Sequence, residues 1–431
     1  MDPFEQVIGY EDIKAELRRI SDVVRNPEKY RRLGVNISRG TMLYGKPGVG
    51  KSLLADCFIA STGRKRYLIR KNKANGDFVD HISRVFKKAV ENAPSIVFLD
   101  DLDKFSETSY RNSDAEEYVA IQSELDGIKD KGNDVYCIAT CNDIDNLPVS
   151  LIRAGRFDNR IEVCAPKDLS VAAEIIAYYL KDKNVSDEIN AADIARLTEG
   201  NTCAELETVI NEAGIYAGYE GKDRIEQEDI IKACLRVIFD APESIDPSPK
   251  SADMRMMATH EAGHVVVAEV LRPGIVNVTS IKRHTGDVGG VTSVSNPDHY
   301  ETSFEIKEEY IMRKLGGRAA VDVVYGVPDI ASESDLEEAY KEMNFYIGQL
   351  HLYGFDTHID FDGSEYWRSA LNHRMTCEME RLYRQVKKIL TDNRPFLDAV
   401  VDALLEKQTL TFKDIVLIRE QVGISGMNKT C

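Results

Sequence analysis

Eight residues, Gly45-Lys46-Pro47-Gly48-Val49-Gly50-Lys51-Ser52, restrict the fold of this chain more than any other segment. The spacing GxxxxGK[ST] suits a loop whose glycines let backbone N–H groups curl around phosphate oxygens. Such a loop sits between a buried strand and a helix N-terminus, where the helix dipole adds to the N–H groups. The flanks agree: Thr41 to Tyr44 is a short apolar run, and a helix is predicted over Ser52 to Ser61. Lys51 is then placed to reach the β and γ phosphates of a nucleotide, and Ser52 to ligate Mg²⁺.

Two further apolar runs follow. Ser95 to Leu99 ends at Asp100-Asp101, and Val135 to Thr140 leads to Asn142. Continuous apolar strands alternating with helices imply an α/β module, a parallel sheet with helices on both faces, over residues 1–165. Asp100, at the end of a buried strand, stands where a Mg²⁺-side carboxylate belongs. Residues 166–238 carry helical apolar spacing and are predicted all-helical. Residues 239–253, with three prolines and three serines, form a predicted linker. A mainly α-helical domain is expected over 254–431, with one strand-like insert from Val276 to Val294.

The charge balance narrows the partners. With 72 acidic against 55 basic residues the net charge is -17, which argues against nucleic acid, whose phosphates need a basic face. The basic stretch from Arg64-Lys65-Arg66 to Lys73 reads more simply as a solvated loop or strand flank. The eight cysteines form no CxxC pair, which suits a reducing compartment; Cys137 and Cys164, in apolar runs, are expected as buried thiols. No apolar stretch reaches roughly 18 residues, and the N-terminus is not a signal peptide. The chain is expected in the cytoplasm, and at a membrane only if an N-terminal segment is missing from it.

Roughly 200 residues beyond the phosphate loop stands His260-Glu261-Ala262-Gly263-His264. On a helix, residues four apart share a face, so both histidines can hold one Zn²⁺ at ~2.0–2.1 Å. Glu261 beside them can take a proton from the attacking water. Gly263 is expected to leave room beside the metal. Catalytic zinc usually keeps three protein ligands. Spacing alone leaves His299, Asp329, Glu333, Asp335, His351 and His358 open as the third. Val288 to Val294 is either an edge strand that pairs with an extended peptide or a structural hairpin. Trp367, Phe345, Tyr346, Tyr353 and Phe355 are expected in the core.

The segments FEQVIGYEDIKAELRRI, GKPGVGKSLLA, IVFLDDLD, CIATCND, LIRAGRFDNRIEV, TEGNTCAELETVINEA, HEAGH and LLEKQTLTFKDI together resemble the FtsH family of AAA+ metalloproteases, in order and over nearly the whole chain. The resemblance implies an ATP-dependent zinc endopeptidase that unfolds and degrades proteins, and it makes residues 166–238 the helical lid. It implies Zn²⁺, ATP and Mg²⁺ as cofactors, and protein or peptide substrates. By the same resemblance Asp335 is the third zinc ligand, Asn142 a sensor that positions water, and Arg156 an arginine finger. A finger that reaches a neighbour's ATP implies a ring, for this family a homohexamer. Members usually carry N-terminal transmembrane helices, and Phe4 aligns with the first residues after them.

Three departures bear on the motor. Asp101 replaces the family's Glu, which retracts the carboxylate by roughly 1.5 Å, and a misplacement of ~1 Å can cost about 100-fold. ATP hydrolysis is therefore expected to be slow. The second arginine finger falls at Asn159, and Arg160 points to the opposite face if that stretch is extended. No aromatic clearly stands at the pore-loop gripping position between Lys71 and Phe78, with Phe78 the nearest and equally a core residue. The alternative function is a nucleotide-gated scaffold, or an ATP-independent peptidase with a weak motor.

Overall fold

The structure, a computed structural model, describes residues 2–71, 77–106, 115–130, 133–153, 155–241, 251–282, 289–295, 303–354 and 365–423. Lys73, most of the pore-loop stretch, most of the 239–253 linker, Val288, His299, Phe355, His358 and the side chain of Trp367 lie outside these residues. Two compact units make up the chain, Met1–Gly214 and Ile215–Cys431.

In the first unit, β1 (Gly40–Tyr44), β2 (Lys65–Ile69), β3 (Ser95–Leu99), β4 (Val135–Cys141) and β5 (Asn159–Glu162) form one sheet in the order β2-β3-β4-β1-β5. Every pairing is parallel. Strands β3 and β4 are buried along their whole length, which is why they read as unbroken apolar runs. Alternate side chains feed opposite faces. Leu43, Phe98 and Ile138 join Phe4, Leu17 and Phe58 on one side. Met42, Val97 and Cys137 join Ile82, Phe86 and Ile121 on the other. A 3-10 turn at Pro3–Gln6 supplies Phe4, and α1 (Glu11–Arg25), α3 (Lys51–Thr62), α4 (Phe78–Glu91) and α5 (Glu116–Asp130) supply the other partners; α2 (Pro27–Arg31) buries no residue.

The edge strands carried no such signal. β2 is KRYLI with only Ile69 buried, so the basic stretch is a solvated edge strand, with Arg64 paired to Asp134 at 2.8 Å and Arg66 to Asp56. In β5, Asn159 is half-buried and Arg160 exposed, on opposite faces. Phe78 packs edge-on against Phe105, 5.0 Å between ring centroids, on the core side of α4. The helices α6 (Leu169–Leu180), α7 (Ala191–Leu197) and α8 (Cys203–Tyr219) follow.

In the second unit, α9 (Gln227–Phe239) precedes α10 (Ser251–Leu271), β6 (Val276–Ser280) and β7 (Val291–Val294). Then come α11 (Phe304–Lys314), α12 (Gly316–Tyr325), α13 (Glu333–Gly348), α14 (Glu365–Asp392), α15 (Arg394–Lys407), β8 (Thr409–Thr411) and α16 (Phe412–Val422). The strand-like insert is thus two strands, and a third joins them in an antiparallel sheet of order β7-β6-β8. Three residues are too few for β8 to show a period. Helix α10 is central, with Ala258, Ala262 and Val265 to Ala268 fully buried.

Gly263 has a different purpose from the one expected. A Cβ there would lie 2.3 Å from the Gly316 carbonyl oxygen and 2.6 Å from Ala320 Cβ. The space it leaves is taken by the backbone of α12, so the two helices cross in direct contact. Two other expectations need correction. Cys164 is only half-buried, and Phe345 is 39% exposed on the outer face of α13, whereas Tyr346 is buried and Tyr353 half-buried. Apolar character marks a face only when the helix phase is known.

Replacing Gly263 by Ala should cost about 1–3 kcal/mol through overpacking at this crossing. Thermal unfolding checks it, and an unshifted midpoint would contradict the close approach.

Candidate metal centre and nucleotide cleft

Helix α10 sets His260 and His264 one turn apart on the face turned toward α12 and α13. Their Nε2 atoms are 3.0 Å apart. Asp335, in the first turn of α13, brings Oδ2 to 3.3 Å from His260 Nε2 and 3.1 Å from His264 Nε2. A tetrahedral cation bonded at ~2.0–2.1 Å separates its ligand atoms by roughly 3.3–3.4 Å, close to this triangle.

The protons show why the triangle suits a cation. His264 Nδ1 lies 2.7 Å from the Arg313 carbonyl, so it must donate, which leaves a lone pair on Nε2 in the neutral ring. His260 Nδ1 lies 2.5 Å from Asp329 Oδ2, with the same consequence. Two lone pairs and a carboxylate oxygen therefore converge, an arrangement that repels itself until positive charge sits between them. Burial works against a charged His260 ring, yet hydrogen bonds to Asp329 and Asp335 outweigh it and lift its pKa to about 10. Burial likewise opposes an ionised Asp335, but both histidines hold its carboxyl well below the usual range. A divalent cation answers the same demand. The donor set, two imidazoles and a carboxylate, is one that Zn²⁺ favours. Among the described residues this is the one group of three or more His, Cys, Asp or Glu side chains that could hold a metal.

Spacing had left Asp329 and Asp335 open together, and the structure separates them. Asp329 is behind the triad, buried, receiving His260 Nδ1 on one oxygen and the Ala331 N–H on the other at 3.0 Å. Gly317 lets α12 lie against the His260 ring, where a Cβ would come within 2.4 Å of Cε1. Glu261, buried, accepts at Oε2 from Thr292 Oγ1 at 2.7 Å, so edge strand β7 orients it. A cleft of about 240 Å³ opens on the triad, Glu261 and Thr292 and on Gly289, Gly290 and Val294. Glu333 and His351 do not line it.

The nucleotide motifs meet because adjacent strands β3, β4 and β1 all end on the same edge of the sheet, the usual ligand side of a parallel α/β fold. Lys51 Nζ donates to the carbonyls of Gly45 and Lys46 at 2.7 and 2.8 Å and to Asn142 Oδ1 at 3.0 Å. Burial pushes the Lys51 pKa down, against the pull of Asp101 and Asp103. Asp100 Oδ1 accepts from Ser52 at 3.0 Å and from Thr140 at 2.8 Å. Pro47 to Ser52, Asp101 and Asn142 line a cleft of about 600 Å³.

Three neighbours were not found in the sequence. Arg70, just past β2, places Nη2 3.2 Å from Asp100 Oδ2 and 3.6 Å from Asp101 Oδ2. Lys104 Nζ reaches Asp101 Oδ2 at 2.9 Å, a pairing that the three-residue spacing could have suggested. Asp103 Oδ2 accepts from Asn142 Nδ2 at 3.1 Å. Arg156 stands apart: its fork grips Asp126 at 3.1 and 2.8 Å and also bonds the Ser150 carbonyl.

Comparison with known families agrees with this layout. The profile of the ATPase family associated with various cellular activities (AAA) matches residues 41–165, that of the AAA+ lid domain 188–232, and that of peptidase family M41 248–418. The chain is 32% identical over 437 residues to ATP-dependent zinc metalloprotease FtsH 2 of Symbiobacterium thermophilum, covering 96% of this chain and 73% of that one. It is 29% identical over 435 residues to ATP-dependent zinc metalloprotease FtsH 2 of Thermoanaerobacter sp., covering 97% and 83%. With ATP-dependent zinc metalloprotease FtsH of Mycoplasma pneumoniae the identity is 31%, covering 98% and 62%.

If Asp329 fixes His260 for metal binding, Asp329→Asn should weaken zinc affinity about 10- to 100-fold. Competition with a chromophoric chelator measures it, and an unchanged affinity would remove Asp329 from the metal's support.

Proposed function

The chain belongs to the FtsH family of ATP-dependent zinc metalloproteases, and on that footing we propose that His260, His264 and Asp335 hold its Zn²⁺ while Glu261 acts as general base. The observation that carries this reading is the convergence of His260 Nε2, His264 Nε2 and Asp335 Oδ2 within 3.0–3.3 Å. Bound zinc supplies Lewis acidity to the scissile carbonyl and to water. Glu261 takes the proton of the attacking water and passes it to the leaving amine. Thr292 keeps Glu261 aimed, and β7 offers an open strand edge along which an extended polypeptide can pair.

In the other unit, Lys51 and the backbone N–H groups of Gly48 to Ser52 receive the phosphates of ATP, and Ser52 with Asp100 holds Mg²⁺. Asn142 orients water, steadied by Asp103. Arg156 serves a neighbouring copy in a ring, for which it must leave Asp126. The working assembly is a homohexamer that unfolds substrate proteins before cutting them, with residues 239–253 as the linker between motor and peptidase. The pairing of Asp101 with Lys104 and Arg70 favours a slow motor, because two cations hold the short carboxylate away from its role.

Substituting Glu261→Gln should leave zinc content unchanged and lower casein hydrolysis by at least about 100-fold. Retained cleavage by a zinc-replete variant would sink the assignment. Asp101→Glu should raise ATP turnover by about tenfold or more, since it restores the reach of the carboxylate. Steady-state phosphate release measures this, and no gain would mean that carboxylate length is not what limits the motor.

A further inference from the structure

Two consecutive cations of α11, Arg313 and Lys314, line the cleft that holds the metal triad. Lys314 is answered, with Nζ 2.7 Å from Glu338 and 3.5 Å from Asp335. Arg313 is not. Among the described residues its Nε and Nη1, shut off from solvent, have no hydrogen-bond partner. The acidic residue one turn earlier, Glu309, is engaged by Arg272 at 2.5 Å. Other guanidiniums with little exposure are paired: Arg419 with Glu269 at 2.8 Å, and Arg156 with Asp126.

A half-buried guanidinium with two such nitrogens is costly, because those N–H groups have lost water and gained nothing. Position narrows what could repay that cost. The Arg313 carbonyl receives His264 Nδ1, so the residue stands directly behind a candidate metal ligand. Its guanidinium carbon is 5.8 Å from the centroid of Tyr310, another residue of the cleft wall. A planar fork beside an aromatic ring is suited to a carboxylate.

We propose that Arg313 forms a subsite for a carboxylate of the bound polypeptide, an acidic side chain close to the scissile bond. The inference rests on the peptidase reading for its substrate, though binding alone tests it. A subsite of this kind selects: a site built to hydrogen-bond one group disfavours an analogue that lacks the charge.

The test uses the full chain, zinc-loaded and carrying Glu261→Gln so that bound peptides persist. Fluorescent, C-terminally amidated decapeptides carry Glu, Gln or Lys at each position in turn, and affinities are read by anisotropy. At the favoured position Glu should bind at least about tenfold more tightly than Gln, the gain expected of one charge-assisted pair. Adding Arg313→Met should bring that ratio to about one while Gln-peptide affinity stays within about twofold; Arg313→Lys should keep part of the preference, and Arg313→Glu should shift it to Lys. Equal Glu and Gln affinity in the Arg313 chain overturns the subsite. So does a preference that survives Arg313→Met, or an equal loss for all peptides. A neutral peptide with a free C-terminus serves as a further arm. If only that peptide gains from Arg313, the ligand is a terminal carboxylate and the side-chain assignment falls. Hydrolysis by the Glu261 chain is scored separately. No cleavage with the affinity ratio intact removes the peptidase reading and leaves the subsite standing.

Discussion

Three electron-rich atoms held within 3.0–3.3 Å of one another are the constraint around which the second unit is built. Left alone they repel, so the surrounding structure has to press them together. The pressing is done from outside the triangle. Asp329 and the Arg313 carbonyl take the outer protons of the two rings and turn the lone pairs inward. Helix α12 lies backbone to backbone on α10 at Gly263 and Gly316, and Gly317 packs directly on the His260 ring. Asp335, in the first turn of α13, closes the triangle from the other side.

Charge balance organises the first unit in a comparable way. The edge where β3, β4 and β1 end gathers Asp100, Asp101, Asp103 and Asn142 around Lys51 and Ser52. In this arrangement Arg70 and Lys104 neutralise the two adjacent aspartates, and Lys51 is satisfied by loop carbonyls. Each cation therefore has a partner that a nucleotide and its Mg²⁺ must displace or share. Arg156, apart from this cleft, is likewise paired, with Asp126. Such a site binds by exchanging contacts rather than by filling empty space.

Some elements were legible in the sequence because their physics is local. Strands β3 and β4 are buried on both faces, so composition alone betrays them. The HEAGH spacing works because one helical turn brings two histidines together. Elements whose character depends on a neighbour were not legible. β2 and β5 are edge strands with exposed charges, and β8 has only three residues. Phe345 looked apolar enough for the core, but α13 turns it outward. Gly263 was expected beside the metal and instead faces Gly316, because nothing in the sequence gives the phase of one helix against another.

The sequence by itself determined the chemistry available: a phosphate loop between strand and helix, two histidines and a glutamate on one helical turn, and a shortened carboxylate at Asp101. These follow from periods of a few residues and need no distant partner. Spacing left Asp329 and Asp335 open, and only the family resemblance singled out Asp335; tertiary structure supplied the physical reason, by bringing one carboxylate to the two histidine Nε2 atoms and setting the other behind the ring. Asp329 and Asp335 are six positions apart and chemically identical, yet one braces His260 Nδ1 and the other meets both Nε2 atoms. Tertiary structure also decided that Arg313 keeps two nitrogens without a partner among the described residues while Lys314, the next residue, is paired. Direction and burial, which separate such pairs, exist only once the helices have packed.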